Sequence, residues 1–204
     1  MAWSRQGGWL VALCLGLSAG CSRATIELGF WMEPLSYQSP RIGDPISADE
    51  FATIDAIARA EIRNAFADYG IRVSANHDAR FRVHVVPILK DERMRRDWTN
   101  AGESHAIAGF GGSGAVNFEY IANGAMIFSP PSATRPEVIE ALGRGIGRVA
   151  IHEFLHELMP KAPIHDSKDA HSYEGNSPAL IEGYFGDLHW DIAGPWLRQR
   201  VGVR

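Results

Sequence analysis

Residues 152–156 read His-Glu-Phe-Leu-His, an H-E-x-x-H pattern set inside the longer stretch TRPEVIEALGRGIGRVAIHEFLHELM, residues 134–159. On an α-helix, positions i and i+4 lie one above the other on the same face. His152 and His156 can therefore grip one metal ion, and Glu153 beside them can take a proton from water that such an ion acidifies. The flanking sequence supplies the helix that this chemistry needs. Thr134 and Glu137 have capping-box spacing, with Pro136 in the first turn. Val138, Ile139, Leu142, Ile146, Val149 and Ala150 form an apolar stripe at helical spacing, which Phe154, Leu155 and Leu158 extend through the motif. Pro160 and Pro163 stop it. A chain built this way is expected to bury a long helix in its core and to present metal ligands near that helix's C-terminal end. The competing reading is a surface helix that carries the three residues by coincidence. Gly143, Gly145 and Gly147 weaken the helix locally. A close-packed neighbour would account for them, although the sequence does not identify one.

The rest of the chain has room for one core around that helix. It has 204 residues with 46% hydrophobic and 22% charged residues, which suits a folded soluble domain rather than a disordered or membrane-spanning chain. Thr25 to Met32 reads as a strand. Ser47 with Glu50 makes a second capping box, and Phe51, Ile54, Ile57, Ala58, Ile62, Ala65 and Phe66 follow at helical spacing, so a helix is expected over 48–69 with Gly70 closing it. Ile71 to Ser74 and Phe81 to Leu89 read as strands. Arg93, Arg95 and Arg96 are mixed with Asp91, Glu92 and Asp97, the pattern of a solvated loop or helix end. Residues 102–117, GESHAIAGFGGSGAVN, are glycine-rich. They lack a P-loop lysine and a following helix, so a flexible loop leading to an edge strand is expected rather than a phosphate cradle. Ala125 to Ser129 reads as a short buried strand, and a last, interrupted helix is expected over Pro178 to Trp196.

The first twenty residues have a different character. Arg5 precedes an apolar run from Trp9 to Leu17 that is too short to span a bilayer and has the form of a secretory signal. The run ends in Leu17-Ser18-Ala19-Gly20-Cys21, which resembles the lipobox of bacterial lipoproteins. Ser18 occupies the position where that family places leucine. The resemblance implies cleavage before Cys21, lipid modification of that cysteine and anchoring at the cell envelope; without it, an ordinary signal leaves a secreted protein. Cys14 lies in the leader, so the mature chain keeps Cys21 alone, with no internal disulfide and no cysteine-based zinc site. The formal net charge is −4 at pH 7, and no basic patch or motif points to nucleic acid. The expected organisation is a leader over 1–20, a segment with the first strand over 21–46, and a catalytic domain over 47–204 to which that strand belongs.

Strand, helix, several strands, then a helix bearing H-E-x-x-H: this order resembles the catalytic domain of metzincin metallopeptidases. The resemblance implies an α+β fold in which a twisted mixed β-sheet packs on two long helices, with an edge strand facing the cleft where substrate adds as a further strand. The family pattern is H-E-x-x-H-x-x-G-x-x-H followed by a methionine turn. Here Met159 stands at the glycine and Ala162 at the third histidine. His165, three residues later, is the favoured third ligand after a proline-stiffened excursion. Asp166, His171 and, in the arrangement of gluzincin-type peptidases, Glu174 or Glu182 are alternatives. No methionine follows Met159, and Ser172-Tyr173 falls where the family turn would lie. The resemblance gives Tyr173 a role beside the metal; a packed turn aromatic is the alternative. Asp187 is a candidate orienter of a ligating histidine and His189 a core or outer-sphere residue. His77, His84 and His105 read as structural or exposed.

The expectation is a zinc metalloendopeptidase with one Zn²⁺, ligands His152, His156 and His165, and Glu153 as general base, acting on a peptide or protein substrate and held at a membrane through Cys21. The alternatives are a catalytically inactive, lipid-anchored protein that keeps the metal for structure or interaction, and a secreted structural domain without metal.

Overall fold

The computed structural model describes residues 25–35, 37–38, 42–89, 100–107, 110–159 and 164–203. The leader and Cys21, the arginine-containing segment around Arg93–Arg96, and the excursion 160–163 lie outside those residues.

Among the described residues five strands form one sheet: β1 (Ile26–Met32), β2 (Ile71–Ser74), β3 (Phe81–Val86), β4 (Gly102–Ile107) and β5 (Gly111–Asn117), in the spatial order β2-β1-β3-β5-β4. The first, second, third and fifth strands run parallel, and β4 pairs antiparallel with β5 at the edge. In β3 the buried residues Phe81, Val83 and Val85 alternate with the half-buried Arg82, His84 and Val86, so one face of the sheet meets the core. That face carries Leu28 and Phe30 of β1 and Val116 of β5, all fully buried.

Four α-helices accompany the sheet among the described residues, so the architecture is α+β with a mixed sheet. α1 (Ala48–Ala65) begins with the expected capping box: the Glu50 backbone N–H donates to Ser47 Oγ at 3.2 Å, and the Ser47 N–H donates to Glu50 Oε2 at 2.8 Å. It supplies the crossover that parallel β1 and β2 require. Its last helical residue is Ala65; Gly70 lies in the following turn, where its carbonyl accepts from the Ile26 N–H. α2 (Phe118–Phe128) replaces the strand expected at Ala125 to Ser129. Asn117 caps it by accepting from the Tyr120 N–H at 3.2 Å. α4 (Ala193–Val201) and a short 3₁₀ turn, Ile181–Gly183, stand where an interrupted helix over Pro178 to Trp196 is expected.

α3 (Arg135–Leu158) is 24 residues long and carries the motif. Glu137 closes its first turn by accepting from the Thr134 N–H at 2.7 Å. It packs on β3, β4, β5, α1 and α2. The close-packed neighbour that its glycines require is now visible. A β-carbon on Gly143 would stand 2.8 Å from Ile57 Cβ of α1, one on Gly147 2.8 Å from the Ala58 carbonyl oxygen, and one on Gly145 2.7 Å from Ile121 Cγ2 of α2. The side chains that a helix normally carries there would hold it off its neighbours.

Candidate metal centre

The last two turns of α3 and the segment after it meet over three imidazoles. His152 and His156 follow helical spacing, and their Nε2 atoms lie 3.2 Å apart. His165 comes from a 3₁₀ turn, Ile164–Asp166, whose Ile164 is buried in the core. Its ring centroid is 5.1 Å from that of His152 and 4.9 Å from that of His156. One ring nitrogen from each of the three lies within 4.8 Å of the others. A tetrahedral zinc with Zn–N bonds of about 2.0–2.1 Å spaces its nitrogens about 3.3 Å apart; the His152–His156 pair has that spacing, and with His165 the three nitrogens could hold one metal ion. Neither Asp166 nor Glu182 joins this group.

The electrostatics favour neutral, ligating imidazoles. Burial, followed by the neighbouring His156 and His165, holds His152 down to about 3, and burial with His165 lowers His156. Deprotonated rings are the form a metal needs. His152 Nδ1 is buried and has no hydrogen-bond partner among the described residues, unlike the usual ligating histidine, whose second nitrogen is held.

Glu153 and Glu157 leave α3 toward β4 and β5. Both are buried, and burial pushes each up to about 8; Glu153 also feels the charges of Glu157 and Glu103. Glu157 Oε2 accepts the backbone N–H of Arg82 at 2.9 Å, while its Oε1 has no partner among the described residues. These carboxylates explain the glycine-rich stretch, which forms the β4–β5 hairpin rather than a flexible loop, with a helix after it. A β-carbon on Gly114 would stand 3.1 Å from Glu153 Cβ, and one on Gly112 2.9 Å from Glu157 Cγ. The strands lack side chains where the helix sends its acids.

The histidines line a cleft. One lobe, about 590 Å³, runs along β4 past Glu103, Ser104 and Ala106. The other, about 360 Å³, reaches Asn100, Arg148, Ser167 and the segment from Glu174 to Pro178. Arg148, one turn before His152, is 4% exposed. It donates to Glu61 Oε1 at 2.8 Å and to the carbonyls of Glu182 at 2.7 Å and Gly186 at 2.6 Å, tying α3 to α1 and to the chain beyond the cleft. Its only mark in the sequence is an arginine set among the apolar residues of the motif helix.

The remaining candidates have other work. Glu174 is buried and accepts the N–H groups of Asp191 and Ala193, capping the start of α4. His171 is exposed, with its N–H on Asp169 Oδ1. His189 is 60% exposed in its side chain and pairs with Asp169 at 2.9 Å, which removes it from the core. Asp187 is exposed and pairs with none of the three histidines. A turn does occur at Ser172-Tyr173, bridged to His189. The Tyr173 ring packs on Trp190, 4.6 Å between centroids. Burial, then Glu61, raises its hydroxyl to about 12; the groups that act on it are those around Arg148, not the histidines. His77 and His84 stack with Trp31, and exposed His105 pairs with Glu103.

Compared with known proteins, the chain matches no family model, no curated protein and no solved structure.

Proposed function

We propose that this protein is a zinc-dependent hydrolase of peptide bonds. The observation that carries the reading is the convergence of His152, His156 and His165 with a buried carboxylate, Glu153, adjoining the first of them on the same helix. A zinc ion in the triad would supply Lewis acidity that makes water a nucleophile near neutral pH and polarises a carbonyl. Glu153 accepts the water proton and returns it to the leaving amine. Its carboxyl, pushed up by burial, would be drawn back toward the ionised form by a divalent cation held in the triad. His152 and His156 hold fixed positions because a buried helix holds their backbone. The edge strand β4, paired on one side only among the described residues and bordering the cleft, suits an extended peptide that adds as a strand. Those features support the metzincin-like reading of the motif.

The test is Glu153→Gln. Turnover of a peptide-library substrate should fall at least ~10²–10⁴-fold while zinc content stays at wild-type level. Zinc binding without hydrolysis in the wild type would favour the inactive, metal-holding alternative. Export and lipid anchoring belong to the same proposal. Labelled fatty acid incorporated by the full chain in a bacterial host, and lost in Cys21→Ser, would support the anchor. Among the described residues no helix is long and apolar enough to cross a membrane.

A further inference from the structure

Two of the three imidazoles sit on a helix; the third sits on a loop, and its position depends on whatever pins that loop. Immediately after His165 the chain closes around two hydroxyls. Ser172, fully buried, has one hydroxyl proton for two acceptors, Ser167 Oγ and the Asp169 carbonyl, each 2.9 Å away, and it accepts the Gly175 N–H at 2.8 Å. Ser167, 8% exposed, donates to Asp191 Oδ2 at 2.9 Å and accepts the Asp169 N–H at 3.3 Å. Asp191 leads into α4, and Glu174 clamps the same junction. A β-carbon on Gly175 would stand 3.0 Å from Ser167 Oγ, so the turn is closed to within a methyl group. Ser167 also lines the cleft together with His152, Glu153 and His165.

We infer that Ser167 and Ser172 are positioning residues for His165: their joined hydroxyls lock the 167–175 turn to the start of α4 and so hold the third imidazole against the pair on α3. This rests on the metal-site reading above. Ile164, packed in the core on the other side of His165, is the second pin. Without the hydroxyl pair the loop keeps that apolar anchor and the Glu174 clamp but loses the link from Ser167 to Asp191, and the triad widens.

The full chain, stripped of metal, is titrated with zinc against a competing chelator, and its Co²⁺ form is read by visible absorption. Wild type, Ser167→Ala, Ser167→Thr, Ser172→Ala and Ser47→Ala are compared. Ser167→Ala should bind zinc about 10–100-fold more weakly with a displaced Co²⁺ band, while its circular dichroism stays native. Ser167→Thr, which keeps the hydroxyl, should recover most of the affinity. Ser47→Ala removes a helix cap far from the cleft and should lower only the unfolding midpoint. If Ser172→Ala fails to fold, Ser167→Ala decides, because it leaves the Ser172 bonds to Asp169 and Gly175 in place. A folded Ser167→Ala with wild-type affinity and Co²⁺ spectrum would overturn the inference and leave the metal site standing. A wild type that binds no zinc would remove the site itself, and this role with it.

Discussion

Gly102 of β4 and Glu153 of α3 are packed so closely that a β-carbon on the glycine would stand 2.9 Å from the Glu153 carboxyl carbon. The absence of a side chain on the strand is what lets the proposed general base lie where it does. In Gly102→Ala the carboxylate end must move, since it is the flexible partner. A catalytic group displaced by about 1 Å costs about 10²-fold in rate. The expected outcome is a comparable loss in kcat with zinc affinity unchanged, measured by peptide turnover and zinc titration of the same preparation. Unimpaired turnover would remove Glu153 from the position assigned to it.

The α1–α3 contact gives a stability prediction whose sign runs against helix propensity. Alanine is favoured over glycine in a helix by about 1 kcal/mol. At Gly147, however, the new β-carbon would meet a backbone atom, the Ala58 carbonyl oxygen, at 2.8 Å, and overpacking of this kind costs about 1–3 kcal/mol. Gly147→Ala should therefore lower the urea midpoint. A higher midpoint would mean that the two helices separate freely.

Arg148 holds four groups at once, and removing it strands them. Arg148→Met leaves Glu61 and the carbonyls of Glu182, Phe185 and Gly186 without their donor. Breaking a buried pair from one side costs about 3–5 kcal/mol. Equilibrium denaturation should show a loss of that order.

How much of this was legible depended on whether a local signal survived the tertiary context. Both capping boxes, the strands from Ile26, Ile71 and Phe81, and the motif helix follow from spacing, because caps and apolar periodicity act within a few residues. α2 was misread because the run from Ala125 is apolar on nearly every side. Its helical signal lies upstream, in the buried stripe Phe118, Ile121, Ala122 and Ala125 behind the Asn117 cap. The hairpin of β4 and β5 was misread for the opposite reason. Its glycines have poor strand propensity, and they are explained by Glu153 and Glu157 on a helix far along the chain. Of the site, the pair on α3 was fully legible and His165 was one choice among several, since a loop ligand has no periodicity to fix it. The hydroxyl pair at Ser167 and Ser172 had no sequence signal beyond two serines near a turn.

The buried acids and the cap at Glu50 give the metal-free protein opposing pH dependences. Glu157 has an ordinary value of 4.5 and rises to about 8 in the fold. A raised carboxyl binds its proton more tightly when folded, so its contribution is present below 4.5 and is lost as pH rises through 8. Glu50 is drawn down to about 2, chiefly by its hydrogen bond from Arg135. Its contribution is present above 4.5 and is lost as pH falls through 2. Glu157→Gln keeps an acceptor for the Arg82 N–H without the charge. It should raise the denaturation midpoint at pH 8.5 and leave it nearly unchanged at pH 4.5. An equal effect at both values would contradict the assignment.

Zinc stoichiometry and affinity, measured together on wild type, His165→Ala, Asp166→Ala and Glu182→Ala, bear most directly on the site. The expected result is one zinc per wild-type chain, retained in Asp166→Ala and Glu182→Ala and weakened at least tenfold in His165→Ala. A wild type without zinc, or a His165→Ala protein that holds it as tightly as the wild type, would contradict the three-histidine centre.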